Sequence, residues 1–206
     1  ASVDWVAVPG EADDAGNAGQ AHLSAASGLV IAGDWFHIVA DDEHHLVALR
    51  RCDAASGALQ LRRLVEGDLP IDPAACKRAK RDLEALLHLP GDAREPAMLV
   101  ARGSGSRPQR HIAYAVRLDA EGALTGDVQA IDLASLHRVL RGHAGTLNIE
   151  AACVHGDALW LFSRANAGSP VNGRFRIDLQ QAVDFLRAGG GHHALPSIEF
   201  STLDLG

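Results

Sequence analysis

Apolar and polar residues alternate along this chain in short runs, and the runs recur in one order. Three segments have an apolar stretch, a Gly-Asp pair and a second apolar stretch. They are SGLVIAGDWFHIVADD from Ser27, LEALLHLPGD from Leu83 followed by AMLVARGSGS from Ala97, and IEAACVHGDALWLFSRAN from Ile149. A period of two is typical of strands, and glycine supplies the positive φ of tight hairpins. Each segment therefore predicts a β-hairpin.

Two further strands are predicted after each hairpin, which gives four strands per unit. They cover 46–50 and 59–64, then 112–118 and 128–133, then 174–179 and 198–203. Four antiparallel strands repeated in tandem are the arrangement of a β-propeller. A β-sandwich, the main alternative, gives no reason for the same pattern to restart at every fourth strand. We therefore expect an all-β, propeller-like fold.

The predicted blades cover about 27–65, 82–133 and 148–204 of a single domain over 1–206. Propellers typically have at least about four blades, so three predict an incomplete ring. Either the chain is a fragment of a longer product, which we favour, or a second copy completes the ring as a homo-oligomer. One more strand, predicted over 3–8, would complete a last blade.

Helical spacing is confined to the connections between the predicted strands. Apolar residues recur three and four positions apart over 73–79, 134–141 and 180–187. Such spacing is typical of an amphipathic helix, and these runs are short. We expect three short helices as connecting elements.

Composition narrows the possible partners. Acidic residues outnumber basic ones by 26 to 19, and no basic cluster with interleaved aromatics occurs, which disfavours nucleic acid. Apolar runs are far shorter than the roughly 20 residues that cross a bilayer, so a soluble protein is predicted. Three widely spaced cysteines without a CxxC pair predict buried thiols in a reducing setting, and we favour the cytoplasm over the periplasm.

The heads of the three units carry the first candidate site. Aligning the units on their Gly-Asp turns puts Ser27, Glu84 and Glu150 at one position. The first strand of a propeller blade lines the central channel, and carboxylates brought close there share a proton, bind a cation or stay hydrated. Calcium would accept oxygens from Glu84 and Glu150, with Asp82, Ser27 and Asn148 as lesser candidates. Alternatively, the carboxylates only cap strands in a water-filled channel.

A second candidate site lies where the second strand of each unit ends. Polar residues there suggest binding of a small-molecule or anionic ligand, and the candidates are Ser104, Ser106, Arg107, Arg164 and Asn166. Glycine lets backbone amides approach an anion, and arginine grips carboxylate or phosphate with two donors. The alternative is a flexible turn, because GSGSR lacks the lysine and the spacing of a P-loop.

Two histidine doublets are the remaining candidates for metal binding. His44-His45 and His192-His193 lie in polar or glycine-rich stretches, and no HExxH or His-x-His spacing occurs. Adjacent side chains on a strand point to opposite faces, so a doublet is not a preorganised pair of ligands. We expect solvent-exposed histidines.

Three stretches, KRDLEALLHL, GSGSRPQR and LNIEAACVHGDALWLFSRAN, resemble uncharacterised bacterial propellers related to the esterase-like phytase domain. The similarity covers roughly 27–166. It implies that Glu84 and Glu150 lie at the channel and that the five ligand-binding candidates lie at its mouth. Members of that group usually read Ile-Glu-Gly where this chain has Glu150-Ala151, and they continue for additional blades. The run Asp41-Asp42-Glu43 does not reproduce the aspartate-rich signature of calcium-dependent propeller phytases, so phytase activity is not carried over.

Two functions follow as hypotheses. The first is a hydrolase of ester or phosphate substrates, in which a calcium ion held by Glu84 and Glu150 activates water while arginines hold the anionic part. The second is a non-catalytic module that binds a small ligand or a protein on the loop face. A fragment whose activity depends on additional blades is a third possibility.

Overall fold

The computed structural model describes residues 7–9, 20–22, 25–53, 59–105, 107–166 and 171–204. These residues form mostly strands, and three four-stranded antiparallel sheets follow one another along the chain. Within each sheet the strands are in sequence order, so every connection joins neighbours. The all-β class with four strands per unit, predicted from the alternating pattern, is therefore confirmed.

The strand bounds are as follows. A two-stranded sheet pairs β1 (Ala7–Pro9) with β2 (Gln20–His22). The first four-stranded sheet contains β3 (Ala26–Ala32), β4 (Trp35–Ala40), β5 (His45–Arg50) and β6 (Leu59–Arg63). The second contains β7 (Leu83–Leu89), β8 (Met98–Gly103), β9 (Ile112–Leu118) and β10 (Leu124–Asp132). The third contains β11 (Ile149–His155), β12 (Ala158–Ser163), β13 (Asn172–Asp178) and β14 (Ile198–Leu203).

Three α-helices connect these strands: α1 (Pro73–Ala79), α2 (Ala134–Ala144) and α3 (Leu179–Arg187). All three were predicted, with α2 extending three residues further. The first begins at Asp72, whose carboxylate accepts from the Ala75 amide, and a proline follows at the first helical position, where its missing N–H costs nothing. None of the helices in the described part of the chain is long and apolar enough to cross a membrane.

Two apolar clusters hold the sheets together. One lies between the first and second sheets and includes Val39, Leu86 and Tyr114. The other lies between the second and third sheets and includes Leu87 and Phe175. Since Leu86 and Leu87 are neighbours on one strand, their side chains point to opposite faces, and the second sheet is apolar on both. The first strands of the three sheets lie side by side, with β7 between β3 and β11.

Strand bounds differ from the predictions where a strand is irregular. The alternating pattern predicted β10 from 128, but pairing with β9 begins at Leu124 and shifts register between Thr125 and Gln129. A bulge breaks the period of two, so the pattern reveals only the part beyond it. The strand predicted over 3–8 is described only from Ala7, and within the described residues it pairs with β2 and joins none of the four-stranded sheets.

The predicted exposure of several side chains was wrong. His44 is buried because the segment after β6 folds back on it, and its Nδ1 lies 2.8 Å from the Gly67 carbonyl oxygen. His45 begins β5 and is half-buried, whereas His192 and His193 are exposed as predicted. Cys52 and Cys153 are exposed and Cys76 is half-buried, so the expectation of buried thiols was also wrong.

Turns of the first and second sheets meet at one end of the sheets, where Gly33 and Gly122 allow the two backbones to approach closely. A Cβ on Gly122 would overlap the carbonyl oxygen of Ala32, and Gly122 has a φ of 89°. Its carbonyl oxygen also lies 2.9 Å from the Nε2 of buried His37. The turn therefore tolerates no side chain at Gly122.

Gly122→Ala is expected to destabilise the protein by about 3 kcal/mol, because overpacking adds to the left-handed backbone cost. Gly126 is the matched control: its φ is also positive, but nothing lies within 4 Å of an added Cβ. Gly126→Ala is expected to cost about 1 kcal/mol, the backbone part alone. Denaturant unfolding measures both, and equal losses would refute the close approach.

Candidate functional site

The first strand of every four-stranded sheet is interrupted at the same point. Its pairing with the second strand shifts register between Ala26 and Gly28, between Leu83 and Ala85, and between Ile149 and Ala151. The residues passed over are Ser27, Glu84 and Glu150, which the sequence placed at one position. Bulges re-aim side chains and are frequent next to active sites. The three equivalent residues therefore lie at one structural position of the three sheets.

The backbone closes in the same way beside each bulge. The residue after the second strand donates its amide to the carbonyl of the residue two before the bulge: Asp41 to Ala25 at 3.3 Å, Ser104 to Asp82 at 3.2 Å, and Arg164 to Asn148 at 3.0 Å. These bonds bring the ends of the second strands next to the bulge residues. The two candidate groups predicted from sequence thus lie at the same end of each sheet.

Asp82 is the most heavily bonded side chain of this region. It is buried, accepts from the Ser104 hydroxyl at 2.6 Å, and forms ion pairs with Arg110 at 2.7 Å and Lys80 at 3.4 Å. Lys80 also forms an ion pair with Asp41, which comes from the first sheet. Lys80 therefore links the carboxylates of two sheets, and its pKa is raised by those partners although burial opposes the shift.

Glu84 is half-buried beside these charges, and its pKa is raised from 4.5 to about 7. Burial is the main cause, followed by the negative charges of Asp82, Glu150 and Asp41, while Lys80 acts in the opposite direction. A carboxyl group with a pKa near 7 is present in both protonation states at neutral pH. Glu84 is therefore suited to taking up and releasing a proton.

Ser27 and Glu150, the other two bulge residues, are engaged by neighbours. The Ser27 hydroxyl donates to the Leu83 carbonyl, which links the first sheet to the second. Glu150 accepts from the Arg164 guanidinium at 2.9 Å and from the Asn148 amide at 2.7 Å. Of the two residues predicted to bind metal, Glu84 lies in the carboxylate cluster of the second sheet, whereas Glu150 is paired with a cation and influences Glu84 through its charge.

The predicted ligand-binding residues are not equally accessible. Ser104 is fully buried on Asp82, and Ser106 lies outside the described residues. Arg107, Arg164 and Asn166 are exposed, and Asn166 accepts from the Thr146 hydroxyl at 3.3 Å. Of these three exposed side chains, Arg164 and Asn166 are bonded to neighbouring side chains.

The GSGSR segment is held in place by the third sheet and by α2. The Ser104 carbonyl accepts from the Ile149 amide at 3.0 Å, and the Gly105 carbonyl accepts from Arg141 at 2.9 Å. Gly105 has a φ of 79° and packs against the ring of buried His137. In its described residues, this segment, which follows β8 of the second sheet, is hydrogen-bonded to the third sheet and to α2.

Three carboxylate oxygen atoms of this region lie close enough together to be considered as ligands of a cation. One carboxylate oxygen each from Asp41, Asp82 and Glu84 lie within 4.8 Å of one another, a separation and donor type that suit calcium. However, Lys80 and Arg110 already neutralise two of the three carboxylates. These three oxygens are fewer than the about six to eight that calcium takes, and a bound ion would have to displace Lys80.

Comparison with known proteins identifies the family. Residues 22–206 match the sequence profile of a family of unknown function (DUF6929), so the chain belongs to this family. No curated protein and no solved structure matches the chain.

Proposed function

We propose that this member of the family is a hydrolase of ester or phosphate substrates, with Glu84 as the general base. The observation that carries the proposal is the position of Glu84. It lies at the bulge of β7, the central one of the three adjacent first strands, half-buried among Asp82, Glu150 and Lys80. Strongly perturbed carboxyl groups that lie at such junctions are candidates for acid–base chemistry.

We further propose that the three sheets are blades of a β-propeller. Each sheet is a four-stranded meander, and the first strands lie next to one another in chain order. In a propeller the blades are arranged radially around a central channel. On this arrangement the bulge residues and the ends of the second strands surround one opening, where a substrate can reach Glu84.

The proposed reaction needs one group that takes up and releases a proton. It also needs cationic side chains that bind the anionic part of the substrate. The Glu84 carboxylate removes a proton from water while the water oxygen forms a bond to the carbonyl carbon or phosphorus. The bond to the leaving alkoxide breaks, and the protonated Glu84 returns its proton to that oxygen. The exposed guanidinium group of Arg107 supplies positive charge for the negatively charged oxygens, and that of Arg164 does so once the substrate replaces Glu150 as its partner.

The test is a panel of nitrophenyl carboxylate esters and phosphate monoesters. The chain is expected to hydrolyse at least one class, with a rate that excess chelator leaves unchanged. If no substrate turns over but anionic compounds raise the unfolding temperature, the protein is a non-catalytic binding module. That outcome contradicts the hydrolase proposal and favours the alternative function.

Calcium-assisted hydrolysis is the second candidate, favoured by the spacing of the three carboxylate oxygens. A calcium ion held by Asp41, Asp82 and Glu84 would supply a bound water of lowered pKa. This candidate predicts saturable calcium binding in calorimetry that Glu84→Gln abolishes. The matched control is Glu66→Gln on an exposed carboxylate, which leaves binding intact. Activity without calcium, in the presence of chelator, contradicts it.

A further inference from the structure

The three sheets stack in the same way. In each sheet, the position of a residue after the bulge determines which neighbouring sheet its side chain faces. The second and fourth residues after the bulge face the preceding sheet. In the second sheet, the second residue is Leu86, which belongs to the cluster shared with the first sheet. In the third sheet these residues are Ala152 and Val154, which pack on the cluster shared with the second sheet. We call this side of a sheet its preceding face.

The first and third residues after the bulge face the following sheet. In the first sheet they are Gly28 and Val30, and a Cβ on Gly28 would lie 2.9 Å from the Leu86 nitrogen. In the second sheet they are Ala85 and Leu87, and Leu87 belongs to the cluster shared with the third sheet. A small residue at the first position lets the next sheet approach. We call this side the following face.

The preceding face of the first sheet is open. Its second and fourth residues after the bulge are Leu29 and Ile31, whose exposed fractions are 60% and 55%. Their partners on β4 are Ile38 and Phe36, so the open face is apolar across both strands. Among the described residues no other four-stranded sheet packs there. Exposed apolar patches of this kind mark interaction surfaces.

In the described part of the chain, no sheet packs on the following face of the third sheet either. Its first and third residues after the bulge are Ala151 and Cys153, both exposed, and their partners on β12 are Phe162 and Trp160. The third strand β13 adds Arg174 and Arg176. On the corresponding faces, Arg117 lies on the third strand of the second sheet and Arg62 on the fourth strand of the first sheet. This surface therefore has the composition of the following faces that are already in contact: small or apolar inside, arginine outside.

We propose that the open preceding face of the first sheet binds the open following face of the third sheet in a second copy of this chain. The two surfaces are complementary by the rule that already joins the first sheet to the second and the second to the third. The two faces lie at opposite ends of the stack, so the contact is heterologous. Two copies joined by two such contacts, each made by the first sheet of one copy and the third sheet of the other, close a ring of six sheets. Six lies within the usual range of propeller blades. The inference does not depend on the proposed chemistry of Glu84.

Light scattering after size-exclusion chromatography tests the proposal on the 206-residue chain. The expected mass is twice the chain mass of 21.7 kDa. The double substitution Leu29→Glu and Ile31→Glu is expected to give a folded monomer, and circular dichroism checks that the strands are retained. A wild-type monomer at tens of micromolar, an open polymer, or a dimer that survives both substitutions would overturn the proposal. None of these outcomes depends on turnover, so hydrolysis can fail while the dimer stands.

A cross-link tests which surfaces meet. Cys153 lies on the following face of the third sheet, and Ile31→Cys puts a thiol on the open face. A short bismaleimide is expected to give a covalent dimer in high yield. The control, Ile31→Cys with Cys153→Ser, retains Cys52 and Cys76 and is expected to stay uncoupled. Coupling of the control to the same extent would show that other surfaces meet and would refute the proposed contact.

Discussion

Replacement of Glu84 by glutamine is expected to lower kcat/KM for the ester or phosphate substrate about 10²- to 10⁴-fold, the usual contribution of general acid–base catalysis. Glutamine has nearly the same shape, so the ion pairs of Asp82 and Glu150 are retained while the proton acceptor is lost. Steady-state kinetics measures the effect. The matched control is Glu66→Gln, which is exposed and expected to keep wild-type kcat/KM. Unchanged activity in Glu84→Gln would exclude Glu84 as the base.

The pH dependence of the same reaction shows whether Glu84 acts as a base or as an acid. The base must be ionised to remove a proton from water, and the pKa of Glu84 is raised to about 7. The rate is therefore expected to fall about tenfold per pH unit below pH 7 and to be level above it, because each unit below the pKa leaves a tenth of the carboxylate. An activity that rises as pH falls would make Glu84 a general acid instead.

Replacement of Asp82 by alanine is expected to lower the free energy of unfolding by about 3–5 kcal/mol, the usual cost of removing one partner from a buried ion pair, to which alanine at a φ of 58° adds a backbone cost. The side chains of Asp82 and Arg110 are about one-tenth exposed, and their ion pair has an N–O distance of 2.7 Å. Loss of Asp82 leaves the Ser104 hydroxyl and two cations without this acceptor. Denaturant unfolding at pH 7 measures the loss.

The control for this position is Asp82→Asn. Asparagine keeps the size, accepts from Ser104 and tolerates the φ of 58°, but it does not neutralise Arg110 or Lys80. The free energy of unfolding of Asp82→Asn is expected to lie between those of the wild type and of Asp82→Ala. A loss of less than 1 kcal/mol for the alanine variant would mean that this ion pair does not hold the site together.

The sheets could be predicted because their information is local. A period of two predicts the strands, and Gly-Asp turns with a positive φ at Gly33 and Gly156 close the first and third hairpins, whereas the second hairpin closes through the longer loop over 90–97. Ser27 and Glu150 lie six residues before their turn glycines and Glu84 lies seven before Gly91, so the shared bulge, and not the turn, puts these three residues at one position. The bulge itself was not predicted, since nothing in the sequence distinguishes Glu84 as an unpaired residue. For the same reason β10 was predicted to begin beyond its irregular pairing. Local sequence patterns predict regular strand pairing but not the bulges that interrupt it.

The candidate site could be predicted only in part because its contacts are long-range. The sequence singled out Glu84 and gave Asp82 a lesser place, but it assigned no role to Lys80. The ion pair of Lys80 with Asp41 joins residues 39 positions apart, one in the segment before β7 and the other in the turn after β4. No spacing rule connects them, because they meet only when the first strands of the sheets lie side by side. The raised pKa of Glu84 is likewise a property of the assembled neighbours.

Titration of the Glu84 side-chain carboxyl carbon by ¹³C NMR, assigned by comparison with Glu84→Gln, shows whether Glu84 exchanges a proton near neutral pH where the three first strands meet. We expect a midpoint near pH 7, which Glu150→Gln lowers because a negative neighbour is removed. A midpoint at the ordinary value of 4.5 would show that these neighbours do not shift the carboxyl group and that Glu84 is not the proposed base.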